Sequence, residues 1–93
     1  MVKLLFAVTA SSGVEGSALF VDDQNVPLNN GKGSLSLPAG DYILIWHFVG
    51  DAGETIAITG KSNGQTVVEV KKSTIPNGAV KSGGLRRFSL KDG

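Results

Sequence analysis

The sequence predicts an all-β protein, an antiparallel β-sandwich of about seven strands, with a small closed β-barrel as the alternative. Three observations lead there. Apolar and polar residues alternate in short runs, the period of a half-buried strand, and no segment of about ten residues keeps an unbroken i, i+3, i+4, i+7 apolar stripe. Turn signals separate these runs about every ten residues. Among them are Asn30-Gly31, Asn63-Gly64 and Asn77-Gly78, pairs that tolerate the φ > 0 conformations of tight turns. Finally, 93 residues suffice for one modest core, so residues 1–93 are expected to form a single domain.

The first strand falls in "KLLFAVTA", residues 3–10, where Leu4, Phe6, Val8 and Ala10 face away from Lys3, Leu5, Ala7 and Thr9. "SALFVD" at 17–22 and "GSLSL" at 33–37 supply the second and third. Leu37-Pro38-Ala39-Gly40 then turns the chain, because proline presets φ and glycine relaxes the exit. "YILIWHFV" at 42–49 is the fourth strand, and "ETIAITG" at 54–60 follows with Ile56 and Ile58 on one face. "TVVEVKK" at 66–72 sends Val68 and Val70 inward, Glu69 and Lys71 outward. After Pro76-Asn77-Gly78, which suits a tight reversal, "LRRFSL" at 85–90 sets Phe88 and Leu90 against Arg87 and Ser89.

The fourth strand poses a question the others do not. Tyr42, Leu44, Trp46 and Phe48 lie on one of its faces, and Ile43, Ile45, His47 and Val49 on the other. In a sandwich only one face of each sheet meets the core, so a doubly apolar strand needs a second cover. The aromatic face is the better core. Ile43, Ile45, His47 and Val49 then form a candidate surface for a protein partner or a second copy of the chain, and burying His47 there would make assembly sensitive to pH.

Several function classes are excluded or left without support. The chain has no cysteine, so disulfides, thiol catalysis and Cys-based zinc sites are out. Gly60-Lys61-Ser62-Asn63-Gly64 spells a G-x-S-x-G nucleophile elbow, and Thr59-Gly60-Lys61-Ser62 the end of a phosphate loop. Both need a helix after the motif to work, whereas strand-like sequence lies on each side, so a hairpin is expected. His47 is the single histidine and has no assembled partner for acid/base work or metal binding. The carboxylates of Asp22-Asp23 and of Asp51 and Glu54 match no calcium-loop spacing. No catalytic residue, metal or cofactor is assigned, and the protein is not expected to be an enzyme.

Charge is uneven along a chain of net +1. Residues 1–54 hold two basic and six acidic side chains, residues 55–93 seven basic and two acidic. Lys71, Lys72, Arg86 and Arg87 would make an anion-binding patch if the last two strands were neighbours. Nucleic acid is not favoured, since net charge is small and no aromatic platform accompanies the patch. The opening "MVKLLFAVTASSG" has the lysine and apolar stretch of an export signal, but its apolar part is short and Glu15 follows. It reads as a strand, which favours a cytoplasmic location. No apolar run nears the length of about 20 residues that a membrane-spanning helix needs.

Leu37, Pro38, Gly40 and Tyr42, in "LSLPAGDYILIWHFVGDAGETIAI" at 35–58, follow an L-P-x-G-x-Y pattern in which a strand turns into a long apolar one. In this the chain resembles small bacterial β-sandwich modules of the carboxypeptidase-regulatory-like, PEGA and prealbumin-like kinds. The resemblance implies an immunoglobulin-like or prealbumin-like sandwich serving as an accessory unit that binds protein or carbohydrate, or as a scaffold. The expected function is therefore a non-enzymatic interaction module that self-associates through its apolar strand face. Carbohydrate binding, and anion binding on the basic C-terminal strands, remain as alternatives.

Overall fold

The computed structural model describes residues 1–92. It contains eight strands: β1 (Val2–Ala10), β2 (Val14–Val21), β3 (Gln24–Val26), β4 (Lys32–Leu37), β5 (Gly40–Gly50), β6 (Thr55–Ser62), β7 (Gln65–Thr74) and β8 (Lys81–Leu90). They form two antiparallel four-stranded sheets, ordered β4-β1-β6-β7 and β3-β2-β5-β8. The sheets pack face to face as a sandwich and do not close on each other, so the barrel alternative is overturned. The strands at the ends of these orders, β4 and β7, β3 and β8, have a ladder partner on one side only. No helix long and apolar enough to cross a membrane occurs among the described residues.

Each inner face is the apolar half of an alternating strand. Val2, Leu4 and Phe6 of β1 and Ile56 and Ile58 of β6 meet Leu19 and Val21 of β2 and Leu44, Trp46 and Phe48 of β5. Val68 and Val70 of β7 and Phe88 and Leu90 of β8 complete the core as their alternation predicts, and Ile75 plugs one end. The face assigned to β1 fades toward its end, where Val8 is half-buried and Ala10 exposed.

The turns follow their local chemistry. Asn30 and Gly31 have φ of 54° and 77°, Asn63 and Gly64 φ of 53° and 77°, the paired positive values of a two-residue hairpin turn. At Pro76–Ala79 only Gly78 is positive, at 82°, and the Ala79 N–H donates to the Pro76 carbonyl at 3.1 Å. The passage from β4 to β5 carries the chain between sheets. There the Tyr42 hydroxyl donates to the Pro38 carbonyl at 2.6 Å, a corner of a type that recurs in β-sandwiches.

The strand order differs from the immunoglobulin constant type, in which the first strand of one sheet lies beside the second. Here β1 lies between β4 and β6, and β2 between β3 and β5. The eighth strand, β3, is a three-residue addition that buries Val26, too short for any alternation to announce it.

Trp46 spans the two layers. It is 6% exposed, and its indole N–H donates to the Ser73 hydroxyl of β7 in the opposite sheet at 3.2 Å. The ring has space because its neighbour on β8 is Gly84, where a Cβ would stand 2.7 Å from one ring carbon and 3.0 Å from another. Gly84→Val is therefore expected to overpack the core and destabilise the fold by about 1–3 kcal/mol. Chemical denaturation followed by Trp46 fluorescence measures this, and an unchanged midpoint would contradict the packing described.

Candidate functional site

Because β5 spends Leu44, Trp46 and Phe48 on the core, its alternate residues must face the other way. Ile43 is half-buried, and Ile45, His47 and Val49 are exposed. The four residues expected to form a partner surface thus lie together on the outer face of the β3-β2-β5-β8 sheet.

Directly paired residues of an antiparallel sheet project from the same face, so the register extends this surface to both neighbouring strands. Phe20 of β2 and Leu85 of β8 flank Ile45, Ala18 and Gly83 flank His47, and Gly16 and Lys81 flank Val49. At the far end, Arg87 pairs with Ile43. On the other side of Ile43 the Asp22 backbone N–H donates to its carbonyl, and the Asp22 Oδ1 accepts its N–H at 3.0 Å. Asp22, Asp41, Ile43, Arg87 and Ser89 line a shallow groove there, in which the Ser89 hydroxyl donates to the Asp41 carboxylate at 2.6 Å.

The middle of this face is apolar. Ile45 is 37%, Val49 41% and Leu85 62% exposed, while Phe20 is half-buried and stacks on His47 with ring centroids 5.6 Å apart and planes inclined by 19°. The outer face of the other sheet is different. Lys3, Thr9, Lys32, Ser34, Ser36, Thr59 and Lys61 share it by register, and Leu5 is its one large exposed apolar side chain. Ile45, Val49 and Leu85 are thus exposed side by side on adjacent strands, whereas Met1, Leu5 and Val80, the other large exposed apolar side chains among the described residues, stand apart from them.

Phe20 and Leu85 were not among the residues singled out from the sequence. Phe20 sits between Leu19 and Val21 in a run where every residue is apolar, and Leu85 stands next to Arg86 and Arg87. Apolar residues on both faces of the second strand were the available signal for Phe20.

The basic cluster assembles differently from the sequence expectation. β7 and β8 are not hydrogen-bonded neighbours but edge strands of opposite sheets. Lys71 and Lys72 are exposed on β7. Arg86 bridges the layers, donating to the Glu69 carbonyl at 2.7 Å, while Arg87 belongs to the outer face beside Ile43. β7 and β8 thus meet across the layers rather than as ladder partners, with Lys71, Lys72, Arg86 and Arg87 all exposed, and Arg86 and Arg87 point to opposite sides of their sheet.

The remaining motifs lie where the turn chemistry puts them. Gly60 to Ser62 end β6, Asn63-Gly64 makes the hairpin, and β7 follows directly, so neither look-alike motif has a helix behind it. Asp22-Asp23 and the Asp51–Glu54 loop stand at opposite ends of β5. Glu54 accepts the Gly13 N–H through its carboxylate. Among the described residues no three His, Cys, Asp or Glu side chains gather as a metal site.

The fold and this face define a β-sandwich with one open apolar sheet surface. No protein-family model, curated protein or solved structure matches the chain, so its reading rests on its own geometry.

Adjacent residues of β5 should behave oppositely. Trp46→Ala is expected to cost about 3–5 kcal/mol, as for a large buried aromatic. Ile45→Asp, one residue away on the open face, is expected to change the stability of the isolated fold by no more than about 1 kcal/mol, the span of strand propensities. Urea denaturation at low protein concentration checks both values, and similar losses would contradict the division of faces.

Proposed function

We propose that the protein is a non-enzymatic interaction module of the prealbumin-like sandwich kind, and that it self-associates by burying the outer face of the β3-β2-β5-β8 sheet. The observation that carries this reading is the row Phe20, Ile45, Leu85, with Val49 beside it, lying exposed or half-buried on three adjacent strands. Water-exposed aliphatic groups in such a block gain about 25 cal/mol for each Å² they remove from solvent. A second identical face offers the same shape and chemistry, and symmetric pairing of one patch with itself is the commonest route to a dimer.

Size sets the strength of the association. Strands of eight, three, eleven and ten residues, spaced about 4.8 Å apart with a rise of about 3.3 Å per residue, present a flat area of roughly 500 Å². A standard interface removes about 800 Å² per partner. The face is thus large enough for a reversible dimer, and micromolar affinity is the matching range.

The aromatic residues favour this reading over sugar binding. Phe6, Trp46, Phe48 and Phe88 are buried, and Phe20 already stacks on His47, so flat exposed rings, the usual platform for a sugar, are scarce. Anion binding is weakened as well, since Arg86 and Arg87 of the basic cluster are directed to different surroundings.

Sedimentation velocity is expected to show a monomer–dimer equilibrium at micromolar concentration. Ile45→Asp and Leu85→Asp should each abolish it and leave a monomer with unchanged far-ultraviolet circular dichroism. A wild-type chain that remains monomeric at several hundred micromolar would overturn the proposal.

A further inference from the structure

Charge on the open sheet is sorted by strand. β2 and its turn into β3 carry Glu15, Asp22 and Asp23 and no basic residue, whereas β8 turns Lys81 and Arg87 to the open face, carries no acidic residue, and sends Arg86 the other way, to Glu69. β5 runs between them with Ile43, Ile45, His47 and Val49 on its outer side, and Asp41, bonded to Ser89, at the end of that row. One side of the face is therefore acidic and the other basic, with an apolar strip along the middle.

When such a face stacks on its own copy with the two sheets aligned, the two-fold axis lies in the contact plane and runs either nearly across the strands or nearly along them. An axis across the strands lays β8 over the partner's β8 and β2 over the partner's β2. Arg87 then approaches the partner's Lys81, and Asp22 approaches the partner's Glu15, so every charged approach joins like signs. Like charges brought together at an interface suppress association. An axis along the strands lays β2 over the partner's β8 and keeps each residue at its own level. Asp22 then lies over the partner's Arg87, Glu15 toward the partner's Lys81, and Phe20 over the partner's Leu85, while Ile45 meets the partner's Ile45. Asp41 meets an acidic group with either axis, the partner's Asp41 here and the Asp51 end of the partner's β5 in the other, and so does not choose between them.

We propose that two copies associate face to face about a two-fold axis running along β5, so that the acidic strand of each lies over the basic strand of the other. The arrangement rests on the self-association proposed above and specifies its geometry. Stacked sheets cross by about 30°, an offset that the long arginine and lysine side chains span. The apolar strip supplies the contact area, and the flanking charges select this axis over the other.

A charge-swap mixture tests the arrangement. Asp22→Lys and Arg87→Asp are each expected to weaken homodimerisation about tenfold or more, because each sets like charges opposite one another twice per dimer. An equimolar mixture of the two variants should recover wild-type affinity, since in the mixed dimer every substituted residue faces one of opposite sign. Asp22 has φ of 52° and bonds Ile43 through its side chain, so Asp22→Lys is paired with Asp22→Asn, which keeps the acceptor and tolerates positive φ. The asparagine variant should fold with wild-type melting and dimerise several-fold more weakly. Sedimentation of each variant and of the mixture reads the outcome. A wild-type dimer whose affinity ignores the single substitutions, or a mixture no tighter than its components, overturns the axis and leaves the self-association reading intact. A monomeric wild-type chain overturns both.

Discussion

The placement of the Trp46 ring between the two sheets is the constraint on which the rest of the molecule depends. Its indole crosses the layer to Ser73, satisfying the one polar group of a side chain that is otherwise ideal core, and Gly84 leaves the space the ring occupies. With the ring anchored, the register of β5 has no freedom. A slip by one residue would exchange every inward side chain for an outward one, exposing Leu44, Trp46 and Phe48. The exposure of Ile45 and Val49 is therefore a by-product of the core: one strand carries two apolar faces, and the sandwich can cover one.

Much of this architecture was legible in the residues. The alternation in β1, β6, β7 and β8 assigned Leu4, Phe6, Ile56, Ile58, Val68, Val70, Phe88 and Leu90 to the interior, where they are found. The Asn-Gly pairs at 30–31 and 63–64 marked tight turns that have the expected backbone signs. β3 was not legible, since three residues with one buried valine carry no period. The start of β8 was hidden for another reason. Ser82-Gly83-Gly84 has the composition of a loop, and only the register against Trp46 and His47 explains why small residues are wanted in a strand there.

The open face was half legible. The residues of β5 that form it follow from parity alone. Phe20 and Leu85 join them only because β2 and β8, and not any other strands, flank β5, and strand order is a property of the whole chain that local pattern does not encode. The same applies to the basic residues: counting placed Lys71, Lys72, Arg86 and Arg87 in one half of the sequence, but topology divides them between two sheets.

That topology has a kinetic corollary. β1 needs β6 beside it, with Ala10 opposite Ile56, and β5 needs β8, with Gly40 opposite Leu90. β1 cannot gain its second flank until the chain has reached Ser62, nor β5 until it has reached Leu90, and loop closure over such separations is repaid late, which places sandwiches of this kind among the slow-folding domains, in milliseconds to seconds. During that interval the borders of β7 and β8 stand unprotected in a partly assembled chain. The lysines and arginines along them act as gatekeepers, discouraging strands of neighbouring molecules from adding on before the native layers have met.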